Sequence, residues 1–519
     1  MSRPASPVRR EGAQANPRAV AWGRRGRVPR LPGTGPRAGA RPGDREGGRP
    51  TVVTRGVGAA QLARLVGGWA DEDGGGSLPA LLGGAIEDLV VANALPDGVL
   101  LPPQRALATA LGVSRSTVTE AYERLESAGV VETRHGSGSR VRRAGAAGAS
   151  AADDGRMTTF AQRGDSVVDL SSGALPGLPA VAREYARLPA ADLDRLVATD
   201  GYLPGGLPAL REVVAARSTA TGLPTSAAQV LVTSGAQQAV WLLARTLLSP
   251  GDEVLVEDPS YRGALEAFQA CGARLTTVPV RADGIDVDLL ERLVRRTRYR
   301  ALYVQPLAHN PTGTSMPLDR RRRLAEIAAR HGITVIEDRC SEDLLLDGRV
   351  PPRPLVADLP EDLGVVVGTA SKLLWGGLRV GWVRAAEPAV RRLTRIRQGV
   401  DLAGAPVDQL VATRLLADAD RWVAERRAAL TRSLREVEDL LREVRPGWRW
   451  TTPTGGVGLW VDVGTDAAAL CARYRQRDVL LVPGPSFSAT DGCARHVRLP
   501  LGHPVAVVAE ALARVPALS

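Results

Sequence analysis

Apolar positions fall into step with a helical period near residue 78. Over 78–92, Leu81, Leu82, Ile86, Leu89 and Val90 share one side, which predicts an amphipathic helix. Leu95-Pro96-Asp97-Gly98 is turn chemistry that ends it. Two shorter helices are predicted at 104–111 and 114–127, hinged at Gly112-Val113, and a short basic hairpin at 130–141 closes the unit. Further along the pattern changes. Short β-branched runs at 229–233, 253–257, 301–305, 334–337 and 364–367 are spaced by helical stretches, which predicts an α/β fold with a mostly parallel sheet. Residues 143–165 are Ala, Gly, Ser and Asp without periodicity and read as a flexible linker. Residues 1–55 are rich in Arg, Pro and Gly, with too few large apolar residues to bury a core, and are predicted to be disordered. The chain thus divides into a tail (1–55), a small domain (60–142), a linker (143–165) and a large domain (166–519).

Composition alters this picture in several places. The hydrophobic fraction of 44% suffices for a large core, yet no run approaches the roughly eighteen apolar residues of a membrane helix. Arginines interrupt any signal-like stretch at the N-terminus. Cys271, Cys340, Cys471 and Cys493 are far apart with no CxxC pair, which argues against a disulfide scaffold or a metal site and suits the reducing cytoplasm. The net charge of +11 belongs mostly to the tail, where thirteen arginines face only Glu11, Asp44 and Glu46. That tail reads either as added phosphate affinity or, more simply, as a dispensable extension. Last, 66 of the 67 cationic residues are arginine, and the single lysine is Lys372. A primary amine can lose its proton and form a Schiff base, which a guanidinium cannot.

In the small domain, helix–glycine turn–helix is the geometry that lays a second helix in the major groove of DNA. Ser114 can cap that helix, Arg115 can fork onto a guanine, and the hydroxyls of Ser116 and Thr117 are adaptable partners. Arg134 and His135 lie at the hairpin tip, suited to a minor groove or phosphates, and Gly136 and Gly138 allow the tight turn. The segment from Leu101-Pro102-Pro103-Gln104-Arg105 to Val141, with Leu111-Gly112-Val113-Ser114-Arg115-Ser116-Thr117-Val118 and Ala121-Tyr122-Glu123-Arg124-Leu125-Glu126, resembles the GntR-family winged helix-turn-helix. The resemblance implies that Arg105, Arg115, Ser116, Thr117, Arg134 and Gly136 approach promoter DNA. Residues 56–143 carry eight arginines against ten acids, so the positive charge must be local to one face and binding should need a dimer.

In the large domain, Gly368-Thr369-Ala370-Ser371-Lys372 follows a strand, with Arg379 seven residues after the lysine. An amine can form an imine there while Thr369, Ser371 and Arg379 hold a phosphate dianion. Ser234-Gly235-Ala236-Gln237 lies between a strand and a helix, where unpaired amides receive an anion. Asp338 ends a strand and can keep a pyridine nitrogen protonated; Tyr261 can stack on the ring and Asn310 can reach its phenolic oxygen. The order and spacing of these pieces resemble the fold-type I aminotransferases, which depend on pyridoxal 5'-phosphate. That resemblance implies a PLP-dependent transferase domain with a smaller C-terminal α/β subdomain. It makes Lys372 the aldimine lysine and Arg498 the grip for a ligand carboxylate, and gives Tyr202 a reach to the partner subunit's cofactor phosphate. One position departs from it. Many relatives carry a tyrosine two residues after the aspartate, where this chain has Cys340, a weaker and shorter donor.

A GntR-like head joined to such a body resembles the MocR/PdxR regulators. The implied function is a homodimeric transcription regulator whose promoter binding responds to pyridoxal phosphate, or to an amine or amino acid that forms an aldimine with it. A working aminotransferase carrying a DNA-binding head is the rival, and Cys340 weighs against it.

Overall fold

The computed structural model describes residues 56–71, 77–92, 94–134, 138–142 and 167–515. The tail and the linker expected from the sequence lie outside the described residues, as do His135 and Gly136.

The head runs α1 (Ala59–Leu65), α2 (Leu78–Val91), α3 (Gln104–Leu111), α4 (Arg115–Ser127), β1 (Val131–Arg134) and β2 (Gly138–Val141). The glycine hinge is an αL cap: Gly112 closes α3 at φ +68°, a conformation that side chains avoid. Helix α4 begins at Arg115 because Ser114 is its N-cap, whose Oγ accepts the Thr117 N–H at 3.1 Å. Leu82, Ile86 and Leu89 of α2 join Leu107, Val118, Leu125, Val131 and Val141 in one core.

The body opens with β3 (Val168–Asp169) and the helices α5 (Pro179–Ala186), α6 (Ala190–Val197) and α7 (Pro208–Ala220). The central elements follow as β4 (Val230–Thr233), α8 (Ala236–Leu247), β5 (Glu253–Asp258), α9 (Arg262–Ala270), β6 (Arg274–Arg281), β7 (Gly284–Ile285) and α10 (Val287–Arg296). Then come β8 (Ala301–Val304), α11 (Leu318–His331), β9 (Thr334–Asp338), β10 (Gly364–Thr369), β11 (Gly381–Arg384), α12 (Glu387–Gln398) and α13 (Pro406–Leu416). These strands form one sheet in the order β4-β11-β10-β9-β8-β5-β6-β7. It is parallel as expected, except that β11 runs against both its neighbours and β7 against β6.

The short β-branched runs have interiors that are apolar on both sides because the sheet is covered on both faces. Val254, Val256, Tyr303 and Ile336 join a core with residues of α8 and α9. The alternate residues Leu255, Leu302, Val304 and Val335 join another with residues of α10 and α11.

The C-terminal subdomain runs α14 (Ala419–Val444), β12 (Arg449–Trp450), β13 (Gly458–Asp462), α15 (Ala467–Arg475), β14 (Val479–Leu480), β15 (Val482–Pro483), β16 (His496–Pro500) and α16 (Val505–Ala513). Its antiparallel sheet, β12-β13-β16-β15, packs Leu459, Val461, Val497 and Leu499 among Leu434, Val437 and Leu441 of α14. Pairing of β14 with β3 ties the start of the body to this subdomain. Among the described residues, no helix is long and apolar enough to cross a membrane.

Candidate cofactor pocket and DNA-reading turn

In an open parallel sheet the side chains that meet a ligand sit past the carboxyl ends of the strands. Five strands deliver such residues to one cavity of about 210 Å³. Ala236 and Gln237 follow β4, Tyr261 follows β5, Asn310 follows β8, and Asp338 ends β9. Thr369 ends β10, with Ser371, Lys372 and Arg379 in the segment that leads to β11, and Arg498 enters from β16 of the C-terminal subdomain.

The Lys372 amine donates to the Gly173 carbonyl at 2.8 Å. Burial pushes it down to about 8, and the charge of Arg498 adds to the effect. The Asp338 carboxylate is held from two sides: Oδ1 accepts the Cys340 N–H at 2.9 Å, and Oδ2 accepts the Tyr303 hydroxyl at 2.5 Å. Gln305 locks this arrangement. Its Nε2 donates to the Tyr303 oxygen at 3.0 Å while its Oε1 accepts the Asn310 N–H at 2.9 Å, so the Tyr303 proton is left to face Asp338. Arg498 donates to Asn310 Oδ1 at 3.2 Å and to the Ser171 carbonyl at 2.6 Å. Its Nε is buried with no hydrogen-bond partner among the described residues. Such a donor suits an acidic ligand, because a buried N–H without an acceptor costs about 1–3 kcal/mol.

The anion end is built by glycine. Gly235 caps α8 at φ +93°, and a Cβ there would stand 2.9 Å from Arg379 Nη2. Arg379 itself donates to the Ser234 carbonyl. Thr369 donates to the Val380 carbonyl at 3.1 Å and receives the Ser371 N–H at 3.1 Å. The Tyr261 hydroxyl is fixed by Gln237 at 2.8 Å. Burial pushes the Cys340 thiol well up, with the Asp338 charge adding to it, so a protonated, weakly donating group stands where a phenol was the expected norm. Tyr202 stays outside this cavity, 59% exposed.

Two residues that line the pocket, Gln305 and Arg262, and Tyr303 behind Asp338 carry no motif. Tyr303 and Gln305 sit on or just beyond a strand that reads as plain core. Arg262, only 2% exposed, lines the same cavity with its guanidinium 5.8 Å from the Phe487 ring, and Arg498 lies 5.1 Å from that ring. An arginine directly after the stacking tyrosine was the one available signal.

In the head, Arg105, Arg115 and Ser116 are exposed around the first turns of α3 and α4. Thr117 is turned toward the cap. It is 9% exposed, and its Oγ1 lies 2.8 Å from Ser114 Oγ, because the third position of a helix turns back toward the N-cap. Arg134 is the last residue of β1, while His135 and Gly136 lie outside the described residues.

Residues 165–515 match the family described as aminotransferase class I and II, and residues 82–141 match bacterial regulatory proteins of the gntR family. The uncharacterized HTH-type transcriptional regulator YdfD of Bacillus subtilis is 30% identical over 398 residues, covering 71% of this chain and 80% of the relative. The probable rhizopine catabolism regulatory protein MocR of Rhizobium meliloti is 30% identical over 57% of this chain and 62% of its own length. The solved structure of LysN, the α-aminoadipate aminotransferase of Thermus thermophilus, complexed with N-(5'-phosphopyridoxyl)-L-leucine, is 30% identical with a TM-score of 0.61. It covers 69% of this chain and 92% of its own. Pyridoxal phosphate is therefore the cofactor that the fold implies. The donor set of the pocket fits it, with an amine, a buried carboxylate, a glycine-built anion cradle and an unsatisfied guanidinium N–H in one cavity. The chain belongs to the aminotransferase class I and II family, and its gntR-family head gives it the domain composition of the MocR-type transcriptional regulators.

Proposed function

We propose that the protein is a cytoplasmic, homodimeric transcription regulator whose grip on promoter DNA changes when pyridoxal phosphate, or an amino compound condensing with it, occupies the pocket. The observation that carries this reading is the place of the single lysine: of 67 cationic side chains, the one able to react with an aldehyde lines the cavity. Pyridoxal phosphate supplies an aldehyde that amines condense with and a ring that withdraws electrons. Lys372 would anchor it, and Asp338, held in place by hydrogen bonds from the Tyr303 hydroxyl and the Cys340 amide, would face its ring nitrogen. Asn310 faces its phenolic oxygen and Tyr261 stacks on it. Ser234, Gly235, Ala236, Gln237, Thr369, Ser371 and Arg379 hold its phosphate. Arg498 takes the acid group of the effector, and the exposed Tyr202 reaches the partner subunit's pocket. In the head, Arg105, Arg115 and Ser116 contact the DNA, Ser114 and Thr117 shape the helix start, and Arg134, His135 and Gly136 form the wing.

A gel shift on the protein's own upstream region, with and without pyridoxal phosphate, tests the reading. Affinity that differs between the two supports it, and equal affinity overturns it. A working aminotransferase is the second reading, favoured by Lys372, Asp338 and Arg498 lining one cavity. The Cys340 thiol opposes it. Steady turnover of common amino acids by the wild type would establish it, whereas turnover gained only in Cys340→Tyr would leave the regulator.

A further inference from the structure

Helix α2 belongs to two cores. Leu82, Ala85, Ile86 and Leu89 share the head core with Val118, Ala121 and Leu125 of the reading helix α4. Gly83 keeps that crossing close: a Cβ there would lie 3.7 Å from the Ala121 carbonyl oxygen. One turn later the same helix enters the body. Ala92 is a member of the core that holds Leu255 of β5, Val278 of β6 and Leu289 and Leu293 of α10, with Val91 packed against it.

Polar contacts fix the same end. Asp88 accepts from Arg292 Nε at 2.8 Å and Nη2 at 3.1 Å, a bidentate fork, and from Arg296 Nη1 at 3.3 Å. The Arg296 side chain is 2% exposed and also reaches the Ala85 carbonyl at 3.4 Å. The Thr277 N–H of β6 donates to the Ala92 carbonyl at 2.8 Å, and the Thr277 hydroxyl to that of Val91 at 3.3 Å. Fork, buried cation and main-chain bond together make a fixed seat; an exposed ion pair alone would add little.

We infer that the β6–α10 face of the body is a docking surface for the DNA-reading head, and that α2 is the strut through which the body sets the pose of α4. The occupant is the α2 end of the head, as its two hydrogen bonds to Thr277 specify. Thr277 pairs in register with Val256 of β5, and β5 leads through Asp258 to Tyr261 in the pocket. Only one strand therefore separates the docked strut from the strand that carries the stacking aromatic. Resting on the regulator reading, this gives pocket occupancy a packed route to the reading helix that does not use the linker.

The test uses the full chain as wild type, Asp88→Asn, Arg292→Gln and the double variant. The Thr277 amide reports docking directly in hydrogen exchange, because its acceptor is Ala92. We expect it protected in the wild type and exchanging at least about threefold faster in each single variant. The double variant should be no faster than Asp88→Asn, which already removes the Arg292 fork together with the Arg296 contact. A Thr277 amide that exchanges at unprotected rates in the wild type, or equally slowly in all four proteins, overturns the docking surface. The second readout is the ratio of promoter affinities with and without pyridoxal phosphate. In Asp88→Asn it should fall toward one while the visible band of the bound cofactor persists. An unchanged ratio despite faster Thr277 exchange overturns the strut. A wild-type ratio of one refutes the regulator reading and the strut with it, leaving the docking surface to stand or fall on the exchange data.

Discussion

The pocket and the reading turn are both sets of polar side chains awaiting a ligand, but they are held in opposite ways. In the pocket, Asp338, Tyr303, Gln305, Asn310 and Arg498 are linked through one another and through main-chain groups, so their positions are set before any cofactor arrives. In the reading turn, Arg105 and Arg115 project into solvent, and the side chains tied down are the hydroxyls of Ser114, Ser116 and Thr117 at the cap. Buried groups must be satisfied or pay in desolvation, so the pocket is preorganised at the level of single atoms. Exposed arginines lose rotamer freedom only when a phosphate or a base meets them. Removing a pocket group should therefore abolish a property outright, and removing a head group should scale one.

The largest break is Lys372→Ala. We expect no protein-bound visible band once free pyridoxal phosphate is removed, while the head still shifts DNA. Lys372→Arg should fail in the same way, because the charge survives and the nucleophilic amine does not. A visible band in either variant would remove Lys372 from its role. Arg115→Ala should leave the band untouched and weaken the specific DNA complex by about 1–3 kcal/mol, roughly 5- to 150-fold. A titration of specific against scrambled duplex checks this, and equal loss on both would make Arg115 a phosphate contact only.

Much of this contrast was legible in the sequence, for a physical reason. Residues 104–127 hold their helices, glycine cap and N-cap within one short segment, so local chemistry suffices to read the turn. Lys372 was legible through its solitude among arginines. The alternation of strand and helix foretold the parallel sheet, but not that β11 runs backwards inside it. Tyr303 was not legible. It sits in an apolar strand, and its partner Asp338 is 35 residues away. Arg498 and Asn310 meet across 188 residues and two subdomains. Thr117 is ambiguous in the sequence because a hydroxyl early in a recognition helix can serve DNA or the cap, and its contact with Ser114 came from the backbone geometry. The docking of α2 was hidden for another reason: Val90, Val91 and Ala92 are consecutive apolar residues, and helical periodicity does not say that one core ends and another begins between them.

A third measurement sharpens the comparison through pH. An ordinary lysine titrates near 10.4, but burial and Arg498 bring the Lys372 amine down to about 8. The neutral amine is the nucleophile, so capture of pyridoxal phosphate by the apoprotein should slow as pH falls through 8. Between pH 7 and 9 the neutral fraction climbs from about a tenth to about nine-tenths, so the loading rate should rise by roughly tenfold and then level. A rate still climbing steeply above pH 9 would mean that the amine is not perturbed. Loading in Arg498→Leu should shift to higher pH, since one neighbouring cation is gone. DNA binding by the head should not follow this profile.

The smallest expected effect lies at the head's one tied-down point. Ser114 Oγ satisfies the Thr117 N–H, and its hydroxyl lies within 2.8 Å of Thr117 Oγ1 and 2.7 Å of Ser116 Oγ. Ser114→Ala removes the acceptor and leaves the Thr117 amide and its part-buried hydroxyl short of a partner, which should cost about 1 kcal/mol of head stability. Ser114→Asp keeps an acceptor at the helix N-terminus, where a negative charge is favoured, and should hold stability near the wild type. Chemical denaturation followed by a probe in the head measures this. If the loss appears equally in a probe of the pocket, head and body unfold as one cooperative unit, in keeping with a head seated on β6 and α10. A loss confined to the head would mean that the two regions differ in cooperativity as well as in how their side chains are held.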